Sequence, residues 1–248
     1  YNIFSLKNKS FMNKPVIGIT LDEGMNKSYS KFPWYAARKN YSAPLSNLNA
    51  VPIFLSHDIK NVRDYLSILD GLIITGGDFD INPSFYGEKI NSKKVSLKEE
   101  RTNFEFRILE GALKIDMTTL CICGGHQLLN VVLGGSLYQD INEEIDTRIE
   151  HEQKNPRNQG SHTIEIMNNT KLKKIVTKKK MFVNSAHHQS IKNVAKDLII
   201  NASSSDGVIE GVEHKSLNFC LGVQWHPEFL IDKGDAEILS EFIRKSKN

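Results

Sequence analysis

The chain has 248 residues, 40% of them hydrophobic and 25% charged, which is the composition of an ordinary globular protein. Its net charge of +3 comes from scattered short lysine runs without interleaved aromatic residues, so we expect no nucleic-acid partner. Its 3 cysteines are too few for a disulfide scaffold and indicate a reducing, cytoplasmic compartment.

The chain shows no sign of membrane insertion or of division into domains. No stretch approaches the roughly 18 apolar residues of a membrane span, so no membrane partner is expected. Residues 1–13 lack the apolar segment of a signal peptide and are predicted to be an N-terminal extension without fixed structure. Because no repeat or low-complexity linker interrupts residues 14–248, we predict a single domain there.

The first half alternates short apolar runs with helical patterns. Uncharged, β-branched runs predict strands at 16–20, 51–55, 71–75 and 118–122. Apolar periodicity predicts helices at 62–69, 101–114, 127–133 and 34–48, the last broken or bounded by Pro44. This alternation indicates an α/β fold with a mostly parallel central sheet and helices on both of its faces.

The second half has shorter, β-like runs. Strands are predicted at 163–166, 181–183, 198–200 and 208–212, and we expect them to extend the sheet in antiparallel fashion. One more strand is predicted at 219–224, and an amphipathic helix at 235–245 ends the pattern.

The most distinctive stretch is Leu120-Cys121-Ile122-Cys123-Gly124-Gly125-His126-Gln127. A strand ends at Cys123, two glycines follow and a helix begins, which is the arrangement of a nucleophile elbow with cysteine in place of serine. The turn would present Cys123 at the carboxyl edge of the sheet, where open α/β sheets bind ligands. A helix N-terminus behind the sulfur favours the thiolate, the attacking form. We therefore predict that Cys123 is a nucleophile.

Two other interpretations of Cys123 are open. It could be one of two buried cysteines on a core strand, because cysteine is often buried. It could also form a redox pair with Cys121, although the core position suits Cys121 better. The abrupt end of the apolar run and the diglycine turn favour the nucleophile.

A thiol nucleophile needs a base, and Val223-Gln224-Trp225-His226-Pro227-Glu228 offers one. An extended backbone after the strand would send His226 and Glu228 to the same side. A carboxylate beside an imidazole fixes its tautomer and stabilises its cation, as the third member of a triad does. The spacing could also occur in a loop without function. With a nucleophile elsewhere in the chain, it predicts the catalytic set Cys123, His226 and Glu228.

Thr75-Gly76-Gly77-Asp78 ends the third predicted strand beside the strand that carries Cys123. Acyl transfer needs donors for a developing oxyanion, and we expect the N–H groups of Gly77 and Gly124 to supply them. Gly76 and Asp78 are expected to line the substrate site. A simple strand-ending turn is the alternative.

A last cluster, Asn184-Ser185-Ala186-His187-His188-Gln189-Ser190, contains paired histidines. No Cys-x-x-Cys or His-Glu-x-x-His pattern accompanies them, so neither a metal ion nor a cofactor is expected. We predict instead that Ser185, His187, His188 and Gln189 line the substrate site. Plain surface or core histidines are the alternative.

Taken together, these stretches resemble the class I glutamine amidotransferase fold. Within it they resemble most the γ-glutamyl-γ-aminobutyrate hydrolase branch, through residues 76–83 with Tyr86-Gly87, residues 133–140 and residues 184–189. The likeness covers residues 14–245. It implies hydrolysis of a γ-glutamyl amide to glutamate and a free amine through a cysteine thioester, and a small-molecule γ-glutamyl partner.

The resemblance also places individual residues. Gln127 stands where glutaminases of this fold contact substrate. Gly124 stands where the branch often has arginine, and Thr102 replaces the aspartate of an Arg-Asp-x-Phe-Glu stretch. These two departures bear on the substrate and leave the chemistry intact.

Two other functions remain open. A glutaminase subunit would hydrolyse glutamine and pass ammonia to a partner synthetase chain, and a non-catalytic regulatory protein could use the same scaffold. The intact cysteine, histidine and glutamate argue against the second. A homodimer is compatible with each of the three functions.

Overall fold

The computed structural model describes residues 14–24 and 30–247. The predicted extension at residues 1–13 lies outside the described residues. The strands are β1 Val16–Thr20, β2 Asp22–Gly24, β3 Trp34–Ala36, β4 Val51–Leu55, β5 Gly71–Ile74, β6 Thr118–Ile122, β7 Ser136–Tyr138, β8 His162–Ile166, β9 Lys180–Val183, β10 Ser190–Asn193, β11 Leu198–Ser204, β12 Ile209–His214 and β13 Cys220–Val223.

The α-helices are α1 Lys39–Asn47, α2 Val62–Ile68, α3 Glu99–Lys114, α4 Gly124–Val132, α5 Ile141–Glu144, α6 Lys171–Val176 and α7 Lys233–Lys245. Short 3₁₀ turns occur at Ile59–Asn61, Pro83–Tyr86 and Pro227–Phe229. Within the described ranges, no helix is long and apolar enough to cross a membrane.

One mixed sheet organises the molecule. Its main path runs β4-β1-β5-β6-β13-β12-β11-β8-β9, with β10 and β7 attached beside β12. Strands β4, β1, β5, β6 and β13 pair in parallel, whereas the pairs from β13 to β9 are antiparallel. The predicted α/β fold, parallel in its first half and antiparallel in its second, is confirmed.

The sheet separates two apolar cores. Successive residues of a strand face opposite sides, so Ile73 and Leu120 pack on one face while Ile74 and Cys121 pack on the other. Helices α1, α6 and α7 cover the first face, and α2, α3 and α4 cover the second. Since both faces are covered, the central strands are the uncharged apolar runs that the sequence shows.

The prediction of one helix over residues 34–48 is wrong at its N-terminal end, and so is the break or boundary expected at Pro44. Residues 34–36 form β3, which pairs with β2 in a small antiparallel hairpin of its own. Pro44 lies inside α1 and does not end it. Its carbonyl accepts a hydrogen bond from Leu48 at 3.0 Å, so the helical turn after the proline is intact.

The ring of Phe242 anchors α7 to the sheet. It is 0% exposed, and its centroid lies 5.9 Å from that of Phe219. We predict that Phe242→Ala lowers the free energy of unfolding by about 3–5 kcal/mol, because it leaves a cavity in a packed core. Phe182→Ala is the matched control, since Phe182 is 50% exposed. Equal losses in urea titrations of the two variants would contradict this packing.

Candidate active site

Cys123 occupies a strained turn between β6 and α4. Its backbone angles are φ 52° and ψ −108°, in a region that L-residues rarely adopt. The N–H of Cys123 donates to the carbonyl of Val223 at 2.8 Å, so the pairing of β6 with β13 continues as far as the turn. Gly125 must be glycine here, because a Cβ on it would lie 2.3 Å from the carbonyl oxygen of Ile74. The side chain of Cys123 is thereby presented at the carboxyl end of the sheet.

His226 reaches the same edge from the neighbouring strand. It follows β13, the parallel partner of β6, and its N–H donates to Oδ1 of Asn184 at 2.9 Å. The extended backbone expected between His226 and Glu228 is wrong, since Pro227–Phe229 form a 3₁₀ turn. The turn still brings the two side chains together, with His226 Nδ1 2.8 Å from Glu228 Oε1.

The electrostatics of His226 favour the imidazolium. Burial opposes a charge on the ring, which is 2% exposed, but Glu228 and then Cys123 outweigh it and raise the pKa of His226 to about 10. With Nδ1 directed to Glu228, Nε2 is the nitrogen available to a reacting group. This nitrogen is buried and has no well-aligned hydrogen bond in the described part of the chain.

Gly76 shows how close the nucleophile and the base lie. A Cβ on Gly76 would be 2.9 Å from Cβ of Cys123, 3.4 Å from its Sγ and 3.2 Å from Cε1 of His226. The two side chains therefore converge on the same small volume. Only a residue without a side chain leaves that volume free for a substrate carbonyl.

The buried side chain of Arg101 holds the loop after β5 in place. Its Nη2 donates to the carbonyls of Thr75 at 3.1 Å and Gly76 at 3.0 Å. Its charge is balanced by Glu105 at 3.1 Å and Asp22 at 2.9 Å. A guanidinium with its carboxylates and carbonyls placed in this way holds the loop rigidly.

Arg101 also orients the peptide between Gly76 and Gly77. In a trans peptide the C=O and N–H point in opposite directions, so the N–H of Gly77 points away from Arg101. Gly77 is exposed. The N–H of Gly76 is already used, because it donates to the hydroxyl of Tyr41 at 3.2 Å. Gly124 begins α4, where the helix offers its N–H no acceptor.

A cavity of about 580 Å³ opens above these groups. Among the predicted site residues it is lined by Gly76, Gly77, Asp78, Cys123, Gly124, Gln127, His187, His188 and Gln189. Ser185 lies behind the wall, where its hydroxyl donates to the carbonyl of His151 at 2.7 Å. Both amide hydrogens of Gln127 are engaged, by the carbonyl of Gln189 at 3.0 Å and Oε1 of Gln224 at 3.1 Å.

The two adjacent histidines have opposite surroundings. Burial lowers the pKa of His187 to about 3. Burial also opposes the charge on His188, but Asp80 at 2.9 Å and Asp140 at 3.2 Å raise its pKa overall. The cavity wall thus presents one neutral and one cation-prone imidazole side by side.

Several residues of this site carry no sequence signal of their own. Tyr41 lies in a helix that only its apolar pattern predicts, and the sequence assigns Asn184 no role beyond its place at the start of the paired-histidine stretch. Arg101 could have been found from the Arg-x-x-Phe-Glu resemblance, because its partner Glu105 follows one turn later on α3.

Comparisons with known proteins show the family to which the chain belongs. The family model described as Peptidase C26 matches residues 15–228. RP404 of Rickettsia prowazekii, named as a glutamine amidotransferase-like protein, is 36% identical, covering 94% of this chain and 98% of that one. The γ-glutamyl-γ-aminobutyrate hydrolase PuuD of Escherichia coli is 30% identical, covering 89% and 88%.

A solved structure shares the fold at low sequence identity. The glutaminase domain of Trypanosoma brucei CTPS, with acivicin bound, superimposes with a TM-score of 0.61 at 16% identity and 94% coverage of both chains. The match of the family model over most of the chain, together with the full-length relatives, shows that this protein belongs to the Peptidase C26 family of class I glutamine amidotransferase-like enzymes.

Proposed function

We propose that the protein hydrolyses a γ-glutamyl amide through a thioester on Cys123. The observation that carries this proposal is the convergence of three chain segments around the side chain of Cys123, which lines the cavity. Cys123 stands on its strained turn, His226 is paired with Glu228 at 2.8 Å, and the Gly76-Gly77 loop lies against both side chains. Nucleophile, oriented base and oxyanion donors are the parts that acyl transfer needs.

With His226 as the imidazolium, the thiol proton of Cys123 has already passed to its Nε2 when acylation begins, and the thiolate sulfur attacks the γ-carbonyl carbon. The carbonyl oxygen becomes an oxyanion that accepts hydrogen bonds from the N–H groups of Gly77 and Gly124. When the tetrahedral intermediate collapses, the C–N bond breaks and His226 gives its proton to the leaving amine. Glu228 stabilises the imidazolium throughout.

In the second step water replaces the amine. His226, now neutral, takes a proton from the water as its oxygen attacks the thioester carbonyl. The C–S bond breaks, glutamate leaves, and the sulfur departs as a thiolate beside the imidazolium of His226, which restores the starting state. No further reactant is required.

The charges around the cavity suit a γ-glutamyl group. Such a group carries an α-carboxylate and an α-ammonium, so its site needs both signs. Of the lining side chains, Arg38 and Arg157 supply positive charge, and Asp78 and Glu152 supply negative charge. The similarity to PuuD, whose name states a γ-glutamyl substrate, supports the same acyl group here.

Replacement of the nucleophile tests the chemistry. We predict that Cys123→Ala lowers kcat/KM for a γ-glutamyl amide by at least about 10³-fold, because no thioester can form. The matched control is Cys121→Ala, two residues earlier, whose side chain packs in the opposite core. Steady-state kinetics on folded protein should show normal turnover in the control. Retained hydrolysis by the Cys123→Ala variant would contradict the proposed thioester mechanism.

The pH dependence tests the role of Glu228. The imidazolium of His226 is present below its pKa of about 10 and is lost as pH rises through that value, so kcat/KM should fall there. We predict that Glu228→Gln moves this alkaline limb to lower pH. Without the negative charge of Glu228, burial lowers the pKa of His226, and the imidazolium is lost at a lower pH. An unchanged limb in a kcat/KM profile would show that another group titrates.

A panel of substrates distinguishes a γ-glutamyl amide hydrolase from the glutaminase subunit of an amidotransferase. We expect the isolated chain to hydrolyse γ-glutamyl conjugates of γ-aminobutyrate or putrescine, and to leave the matching α-glutamyl conjugates intact, since only the γ-carbonyl reaches Cys123. Released amine is measured by chromatography. Hydrolysis of glutamine alone, with every conjugate inert, would favour an amidotransferase subunit instead.

A further inference from the structure

A cluster of three histidines and one carboxylate lies at and behind the cavity wall, outside the triad; His162 is half-buried and the other three residues are buried. It comprises His151 in the loop before β8, His162 at the start of β8, His187 before β10 and Glu210 on β12. One ligand atom each from His151, His162 and Glu210 lies within 4.8 Å of the others. Oε1 of Glu210 is 3.0 Å from Nε2 of His162, 3.4 Å from Nδ1 of His151 and 3.9 Å from Nε2 of His187. One carboxylate oxygen thus faces three ring nitrogens.

His187 points an unsatisfied acceptor into this cluster. Its Nδ1 lies 2.9 Å from the carbonyl of Gln189, an acceptor, so Nδ1 carries the proton and Nε2 carries a lone pair. The residue is 5% exposed, and Nε2 has no hydrogen-bond partner in the described part of the chain. A buried lone pair directed at a carboxylate oxygen is unfavourable unless a cation lies between them.

His151 has the same arrangement. Its Nε2 donates to Oδ2 of Asp206 at 2.9 Å, and Asp206 is itself held by the hydroxyls of Ser204 and Thr147. Nδ1 is therefore left facing Glu210, buried and without a well-aligned hydrogen bond among the described residues, 3.4 Å from Oε1 of Glu210. A histidine whose outer nitrogen donates to a carboxylate or a backbone carbonyl is the usual form of a metal ligand.

We propose that His151, His162, His187 and Glu210 bind one divalent transition-metal ion, with Zn²⁺ the best match. Tetrahedral Zn²⁺ has ligand bonds of about 2.0–2.2 Å, which places ligand atoms roughly 3.3 Å apart. The distances of 3.0 and 3.4 Å from Glu210 to His162 and His151 lie close to that separation, and the ligand atoms of these three residues form the mutually close set. Nε2 of His187, 3.9 Å from Glu210, would have to move closer to become the fourth ligand. Three imidazoles and one carboxylate favour a transition metal over Mg²⁺ or Ca²⁺, which prefer oxygen ligands.

The ion has a structural consequence for the cavity. His187 lines the cavity, so a bond from its Nε2 to the ion would fix that part of the wall. With four protein ligands the coordination is closed, as in structural zinc sites. Without a metal, a doubly protonated His151 between Asp206 and Glu210 would have to hold the cluster together.

Metal uptake is measured in the Cys123→Ala protein, so that the catalytic thiol contributes no ligand. The protein is stripped with a chelator, titrated with Zn²⁺ against a competing chromophoric chelator and analysed by mass spectrometry for bound metal. We expect one equivalent of Zn²⁺ and a higher Tm for the loaded protein. No stoichiometric uptake, or an unchanged Tm, would overturn the proposal in favour of the protonated cluster.

Variants locate the ion. In the same background, His162→Gln and Glu210→Gln should each weaken Zn²⁺ binding at least about 10-fold, whereas His214→Gln should bind as before. His214 is the matched control because its Nδ1 accepts backbone N–H groups outside the cluster. Equal binding by all three variants would place the metal elsewhere.

A spectroscopic measurement covers the case in which the cluster variants do not fold. Co²⁺ replaces Zn²⁺ in the stripped Cys123→Ala protein, whose ligands are then unaltered. One equivalent should give the intense visible absorption of tetrahedral Co²⁺. The weak absorption of octahedral Co²⁺, or no uptake, would contradict the four-ligand site.

Discussion

The parallel pairing of β6 with β13 is the constraint on which the site depends. Val223 pairs with Ile122, and the carbonyl of Val223 still binds the N–H of Cys123 at 2.8 Å. The elbow and the turn carrying His226 must therefore leave the sheet at the same level. Because β5 pairs with the other side of β6, the Gly76-Gly77 loop arrives at this level too. The adjacent strands β5, β6 and β13 therefore place the proposed oxyanion donor, the nucleophile and the base at one edge of the sheet.

Holding the site in this form requires local strain and buried charge. A non-glycine residue with the backbone angles of Cys123 costs of order 1–3 kcal/mol, and such strain persists only where surrounding contacts fix it. The guanidinium of Arg101 is 0% exposed, and burial of an unpaired charge would cost several kcal/mol more. Glu105 and Asp22 offset that cost. The same guanidinium orients the Gly77 peptide, so the loop next to the nucleophile is held by a group that solvent does not reach.

The parts of the structure that the sequence predicts are those that local patterns encode. Uncharged runs such as residues 16–20 and 118–122 can only be buried strands, and the diglycine after Cys123 marks the elbow. The helix predicted from residue 34 is wrong there because residues 34–36 pair with the preceding strand β2, a contact that apolar periodicity within 34–48 does not show. The contacts of Arg101 with Thr75 and Gly76 join segments much further apart in the sequence. Spacing along the chain carries no trace of such contacts, which appear only once the strands are assembled.

The paired histidines show why a motif can be located correctly while its parts act separately. His187 and His188 are neighbours in sequence, yet their rings face different carboxylates, Glu210 in one case and Asp80 with Asp140 in the other. Both line the same cavity. Burial lowers the pKa of His187 against the opposing effect of Glu210, whereas, against the effect of burial, Asp80 and Asp140 raise the pKa of His188. The charge on this wall therefore depends on Glu210 and Asp140, which do not line the cavity, as well as on Asp80, which does.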